Sequence, residues 1–286
     1  MKRGNNYKKR GGRYGNTAVY VMLILLSLLW VFPFAYLVMQ SFRGEAGVTT
    51  DYFFPKEWTL RNYILLFTEK EPFNFGRWYG NTLLVASVVA IIQTTVVLST
   101  SYALSRLRFR LRGALMKLML LLGMFPGFMS MTAVYFVLKE LNLTQSLAGL
   151  VLVYVASSAM QYYICKGFFD TLPKSLDEAS RIDGANRHTV FFKIILPLSG
   201  PVVVYTALVA FTMPWGEYMY SSLLMLGNFE KFNVALGLSQ MITRENAYRY
   251  FTRFCAGAVC VSVPNALLFF LLQRYFVEGV TGGAVK

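Results

Sequence analysis

The sequence predicts an all-α polytopic membrane protein with six transmembrane helices, and three observations carry that prediction. Of its 286 residues, 56% are hydrophobic and only 15% are charged, against roughly 25% charged in soluble domains. Six charge-free stretches are long enough, at about 18 residues or more, to cross a hydrocarbon core about 30 Å thick as helix. Basic residues gather in alternate connections between those stretches, which is the pattern that sets orientation in a bilayer.

The stretches run Thr17–Gln40, Thr82–Ser105, Leu118–Leu138, Leu147–Cys165, Ile194–Gly216 and Phe254–Gln273. With their flanks they give spans at about 17–40, 82–105, 114–138, 147–165, 194–222 and 254–276, inside one transmembrane domain over 17–276. A basic segment, 1–16, precedes it and a tail, 277–286, follows. Each span is expected to be helical, because backbone amides in lipid find no water and must pair within the segment. The first has basic residues before it, as a signal peptide would. It is too long for one and no small-residue cleavage site follows, so it reads as a retained span.

Orientation follows from Lys and Arg counts. Eighteen basic residues fall on the side of the N-terminus (Lys2 to Arg13), the Arg106–Lys117 connection, the Lys166–Lys193 connection and the tail; ten fall on the other side, in longer and more acidic loops. Both termini are therefore expected in the cytoplasm of a bacterial cell. A net charge of +14 does not point to nucleic acid, since the cations lie in short segments between apolar runs and form no soluble basic face. Cys165, Cys255 and Cys260 all sit in apolar stretches without metal or disulfide spacing, and read as packing residues. His188, the lone histidine, has no second ligand at metal spacing and reads as solvated. The outer loop from Ser41 to Asn81 carries Trp58, Trp78 and Tyr79, aromatic residues of the kind that favour the headgroup zone, so part of it is expected along the membrane surface.

The longest cytoplasmic connection, within 166–193, is punctuated like two short helices around a turn. Pro173 sets up the entry, Ser175 is placed to cap, and Glu178 three residues on completes a capping box, so a helix is expected from about Leu176. Gly184 can end it in the left-handed conformation, and Asn186 can cap a second helix leading towards Pro197. On the first helix Leu176, Ala179 and Ile182 recur at a spacing of three as an apolar stripe, with Asp177, Arg181 and Asp183 elsewhere on the surface. Such a helix can dock in a partner's groove; from the residues alone, it can equally rest on the inner leaflet.

Glu178-Ala179-Ser180, Gly184, Ile194, Leu196 and Pro197 fall in the register E-A-A, three residues, G, nine residues, I-x-L-P, with Ser180 in place of the usual Ala. The segment resembles the EAA loop of binding-protein-dependent ABC importer permeases. Asn81-Thr82-Leu83, Tyr102-Ala103-Leu104-Ser105-Arg106, Gly167-Phe168-Phe169 and the ending Gln273 to Gly279 are similar to carbohydrate-type, MalG-like members, so the likeness runs from about Val21 onward. The resemblance implies the type I ABC importer permease fold and a non-catalytic subunit that moves a sugar, such as a malto- or galacto-oligosaccharide, by alternating access. It implies that Leu176, Glu178, Ala179, Ser180, Ile182, Asp183 and Gly184 form a coupling helix seated in a cytoplasmic ABC ATPase dimer. Further implied partners are a second, MalF-like permease, an extracytoplasmic sugar-binding protein and membrane lipid. No cofactor is implied in this chain, ATP and Mg being bound by the partner ATPases.

Within the apolar part only Glu217 interrupts, in Pro214-Trp215-Gly216-Glu217-Tyr218. A carboxylate near membrane depth is costly and normally faces a cavity or a partner. One reading puts Trp215, Glu217 and Tyr218 on the substrate path, the ring stacking on a sugar and the carboxylate accepting hydroxyl protons. The other leaves Glu217 at the outer interface or paired with a cation on a companion chain. Gly123 and Gly127 make a G-x-x-x-G step expected to allow close helix approach, with Pro126 kinking the third span. No G-x-x-x-x-G-K-[ST] phosphate loop occurs. The alternative function, an ion-coupled secondary transporter, would call for several ionisable groups in the spans; a membrane enzyme would call for a convergent constellation that the loops do not show.

Overall fold

The computed structural model describes residues 13–48 and 52–284, with side chains from Thr17 through Tyr275. Residues 1–12 of the basic N-terminal segment, and the last two residues of the tail, lie outside the described residues; of the ending Gln273 to Gly279, only the backbone is described beyond Tyr275.

Helix α1 (Arg13–Ser41) is the first apolar run. Its side chains are exposed over most of its length and it packs against the last helix. The outer loop that follows holds a short helix, α2 (Arg61–Thr68), and is stapled by Asn62, whose Nδ2 donates to the carbonyls of Ser41 and Arg43 at 3.0 and 2.8 Å. Helix α3 (Phe75–Arg106) begins earlier than the charge-free run, capped by Asn74 on the amide of Arg77. Trp78, expected at headgroup level, is instead 1% exposed in the core, because the helix already starts at Phe75 and carries the ring against Phe73 and Phe232. Trp58 remains exposed.

The third span is two helices, α4 (Arg112–Met124) and α5 (Gly127–Glu140), set at 105°. Pro126 therefore breaks the span instead of kinking it, because it cannot donate to the preceding turn. Nor do the glycines serve close approach: a Cβ on Gly123 would meet Ala159 at an ordinary 3.5 Å, and one on Gly127 would meet nothing within 4 Å. The fourth span, α6 (Leu147–Ala156) with α7 (Ala159–Thr171), bends by 47° at Ser157-Ser158, whose hydroxyls donate to the carbonyls of Val153 and Val155. That is how a break inside lipid is kept satisfied.

Helix α8 (Ser175–Ile182) crosses the connection to α9 (Arg187–Val190), which runs on through a π-helical turn, Phe191–Ile195, into α10 (Leu196–Leu198). An 85° bend at Ser199 then leads into α11 (Gly200–Gly216), and here the Ser199 hydroxyl donates to the Ile195 carbonyl at 2.7 Å. Short α12 (Met219–Met225) and α13 (Val234–Met241) precede the long final α14 (Ala247–Ala284). Among the described residues three helices are long and apolar enough to cross on their own, and counting each bent pair as one crossing gives up to six. The third, fourth and fifth spans are bent pairs where the charge-free runs read as single spans.

The architecture is organised on α3, which packs against α6, α7, α11 and α13. Its buried positions, among them Trp78, Thr82, Val85, Val89, Gln93, Val97 and Ser101, recur every three or four residues as one stripe. Two apolar cores lie end to end along it. The one expected from the basic-residue count on the outer side gathers Trp78, Val85 and Val89 with Tyr154, Trp215 and Leu236; the one expected on the inner side gathers Val97 and Tyr102 with Phe169, Phe191 and Ile195. Between them Gln93 donates to Gln161 of α7 at 2.8 Å.

Candidate functional site

The candidate site is the α8 loop on the inner core. The N-terminus of α8 departs from the expected capping box: Lys174 holds the N-cap position without a side-chain bond, and Ser175 is already the first helical residue. What favours this end is charge, since Asp177 and Glu178 occupy the first turn, where exposed amides attract carboxylates.

The C-terminal turn is as predicted. Gly184 takes φ +82°, its amide donates to the Arg181 carbonyl at 3.1 Å, and the next amide, Ala185, donates to Ser180 at 2.9 Å. Those paired bonds close the helix in a Schellman motif. Asn186 then caps α9 through the amide of Thr189 at 2.8 Å.

Sequence reasoning placed Asp177 on the surface of α8, and the structure corrects that position. The buried residues are Asp177 and Ser180; Leu176 is half-buried, while Glu178, Ala179, Asp183 and Gly184 are exposed and Ile182 is 86% exposed. The reason is an ion pair. Arg106 Nη1 stands 3.4 Å from Asp177 Oδ2, with side chains only 4% and 9% exposed, and Arg106 Nη2 also donates to the Leu172 carbonyl at 2.9 Å. Ser105 beside it donates to Asp170 at 2.6 Å. The end of α3 thus grips both the end of α7 and α8, and the apolar positions Ala179 and Ile182 are turned outward. Tyr102 packs beneath this loop with Phe169 edge-on at 6.3 Å and Phe191 tilted at 4.7 Å between ring centroids. Neither Arg106 nor Phe191 was singled out for a role; the polar residue Asp177 inside an otherwise amphipathic helix was the available signal.

The second group lies at the other end of the fold. Trp215 is buried between Tyr79, at 5.1 Å, and Phe211, at 5.9 Å. The expectation of a ring free to stack on a sugar is corrected: aromatic neighbours from α3 and α11 flank it. Tyr218 is exposed. Glu217 is half-buried, and its carboxylate accepts from the amides of Tyr220 and Ser221 at 2.7 and 3.1 Å and from the Tyr154 hydroxyl at 2.9 Å. Its backbone carbonyl takes Asn233 Nδ2. Where α11 ends after Pro214, Glu217 therefore caps α12 and ties α6 and α13 to the break.

Comparison with known proteins places this geometry. Residues 95–281 match the family described as binding-protein-dependent transport system inner membrane component. The galactooligosaccharides transport system permease protein GanQ of Bacillus subtilis (strain 168) is 34% identical over 268 residues, 93% of this chain and 94% of that one. The maltodextrin transport system permease protein MalD of Streptococcus pneumoniae (strain ATCC BAA-255 / R6) is 35% identical over 285 residues, 99% of each. A chain in the crystal structure of a bacterial ABC transporter involved in the import of the acidic polysaccharide alginate shares the fold, with a TM-score of 0.79 at 21% identity over 95% of this chain and 100% of that one. With the family pattern spanning the inner core, the α8 loop and α14, the chain belongs to the binding-protein-dependent transport system inner membrane components.

Proposed function

We propose that this chain is the permease subunit of an ATP-driven importer whose cargo is an oligosaccharide of the malto- or galacto-oligosaccharide class. The observation that carries the cargo class is identity of 34–35% over nearly the full length to permeases of galactooligosaccharide and maltodextrin systems. The chain itself supplies a gate: six crossings, three of them broken, arranged around α3.

The energy enters through partners. The outward face of α8, with Glu178, Ala179, Ile182 and Asp183 exposed, is the contact for a cytoplasmic ATPase, and the rigid grip of Arg106 on Asp177 passes its movement to α3. A second permease and an extracytoplasmic sugar-binding protein complete the assembly. The basic connections, including this loop, lie in the cytoplasm with both termini. ATP and Mg are bound by the ATPases, and no covalent chemistry falls to this chain.

Affinity co-purification from native membranes, probed for an ATPase and a second permease, tests this reading with wild type and Glu178→Lys. Recovery of the ATPase with wild type and its loss from the variant are expected. No ATPase with either chain would sink the importer reading in favour of a self-sufficient transporter.

A further inference from the structure

A cleft of about 430 Å³ opens between the α3–α4 turn, α8 and the start of α9. Arg106, Arg108, Arg112, Lys174, Arg181 and Arg187 line it, against two carboxylates, Asp177 and Glu178. Asp177 is already committed to Arg106. Among the described residues none of the other five cations forms an ion pair, so the cleft carries positive charge in excess of its two carboxylates. Its wall also holds the buried Arg106–Asp177 pair, in which the Arg106 side chain is 4% exposed and neither its Nε nor the two Asp177 carboxylate oxygens has a hydrogen-bond partner.

The depth of the cleft narrows what that ligand is. Arg106 closes α3 and Arg112 opens α4, two helices that continue directly into apolar spans. Phe109, Leu111 and Leu118 stand exposed beside these cations. Apolar side chains facing outward next to arginines mark the level where hydrocarbon gives way to headgroups, and basic clefts at that level fit anionic headgroups. Guanidinium groups suit phosphate oxygens because their planar fork offers two parallel donors.

We propose that this cleft binds the phosphate of an anionic phospholipid headgroup. The shared chemistry, a phosphate group among arginines, could also be met by free inorganic phosphate, and the test separates the two. The proposed site is separate from the transported sugar; it shares Glu178 with the proposed ATPase contact, and the isolated chain used in the test leaves that residue uncovered.

Native mass spectrometry of the detergent-purified, delipidated chain with added phosphatidylglycerol or phosphatidylcholine gives the readout. Wild type should retain phosphatidylglycerol preferentially. Arg108→Gln with Arg187→Gln, which leaves the Arg106–Asp177 pair in place, should weaken retention about thirty-fold, since each cation near the surface contributes on the order of 1 kcal/mol. Arg108→Lys with Arg187→Lys keeps the charge and should keep most of the binding, which separates loss of the site from loss of the fold. Equal retention by the glutamine variant, or equal retention of phosphatidylcholine by wild type, would overturn the proposal. So would stabilisation of wild type by millimolar inorganic phosphate without any retained phosphatidylglycerol.

Discussion

Arg106 and Asp177, 71 positions apart in sequence, meet at 3.4 Å with both side chains almost fully enclosed. This pair decides which face of α8 looks outward, and it joins the loop to the end of the central helix α3. Because Arg106 also serves the Leu172 carbonyl, one guanidinium holds the exit of α7 and the first turn of α8 together.

Replacing Asp177 with Ala leaves that guanidinium buried and uncompensated, an effect on the order of 3–5 kcal/mol for buried pairs. The expected outcome is a lower unfolding midpoint for the purified chain and loss of uptake. Arg106→Met with Asp177→Leu should cost less than Asp177→Ala alone, and unfolding midpoints of all three variants check this. A double variant no more stable than the single one would mean the ion pair is not what seats α8.

Gly184 is required by conformation and not by space. Its φ is +82°, yet a Cβ there would touch nothing within 4 Å. Gly184→Val should therefore strain the turn by about 1–3 kcal/mol and reduce uptake while membrane abundance stays near normal. Gly184→Asn, which tolerates the left-handed region, should retain most uptake. Transport assays paired with immunoblots distinguish these outcomes, and normal uptake by the valine variant would refute a coupling role for the turn.

What the sequence disclosed follows from what lipid demands. Charge-free runs are legible because a span must be apolar wherever it is, and the Gly184 and Asn186 signals are legible because turn chemistry is local. The break at Ser157-Ser158 was not legible, because no proline marks it and the hydroxyls that satisfy the freed carbonyls look like ordinary membrane serines; the bend at Ser199 lies between Pro197 and Pro201, a local signal of broken helix regularity. The burial of Asp177 was hidden for another reason. Amphipathic reasoning sends a carboxylate outward, and only a partner from a distant segment, Arg106, reverses that choice. The reading of Trp215 was left open for a similar reason, since its neighbour Tyr79 comes from α3, well over a hundred residues away.

Glu217 separates the two transport classes. Its carboxylate is occupied by the Tyr220 and Ser221 amides and the Tyr154 hydroxyl, which makes it a cap and cross-brace. Glu217→Gln keeps an acceptor oxygen, and ATP-driven uptake should persist at a reduced rate. Glu217→Ala removes both oxygens and should destabilise the chain by about 1–3 kcal/mol. Uptake measured in energised vesicles with and without a protonophore checks the assignment: abolition by Glu217→Gln together with protonophore sensitivity would identify Glu217 as an ion-coupling group.

The packing of α13 on α3 gives the last prediction. A Cβ on Gly237 would lie 2.1 Å from Cε3 of Trp78 and 2.3 Å from Cδ2. That indole cannot move aside, because it is 1% exposed and its Nε1 donates to the Phe229 carbonyl at 2.8 Å. Gly237→Ala must therefore push α13 away from α3, an overpacking effect of about 1–3 kcal/mol. The same displacement would disturb the Val234 amide, which donates to Thr82 at 2.7 Å. Trp78→Phe removes the ring atoms nearest to the new methyl and the bond to Phe229 as well, so on its own it should destabilise. If the clash is the cause, the two substitutions together should cost less than the sum of each alone, as read from thermal unfolding of the purified variants. Strict additivity would mean that α13 is not seated on the indole.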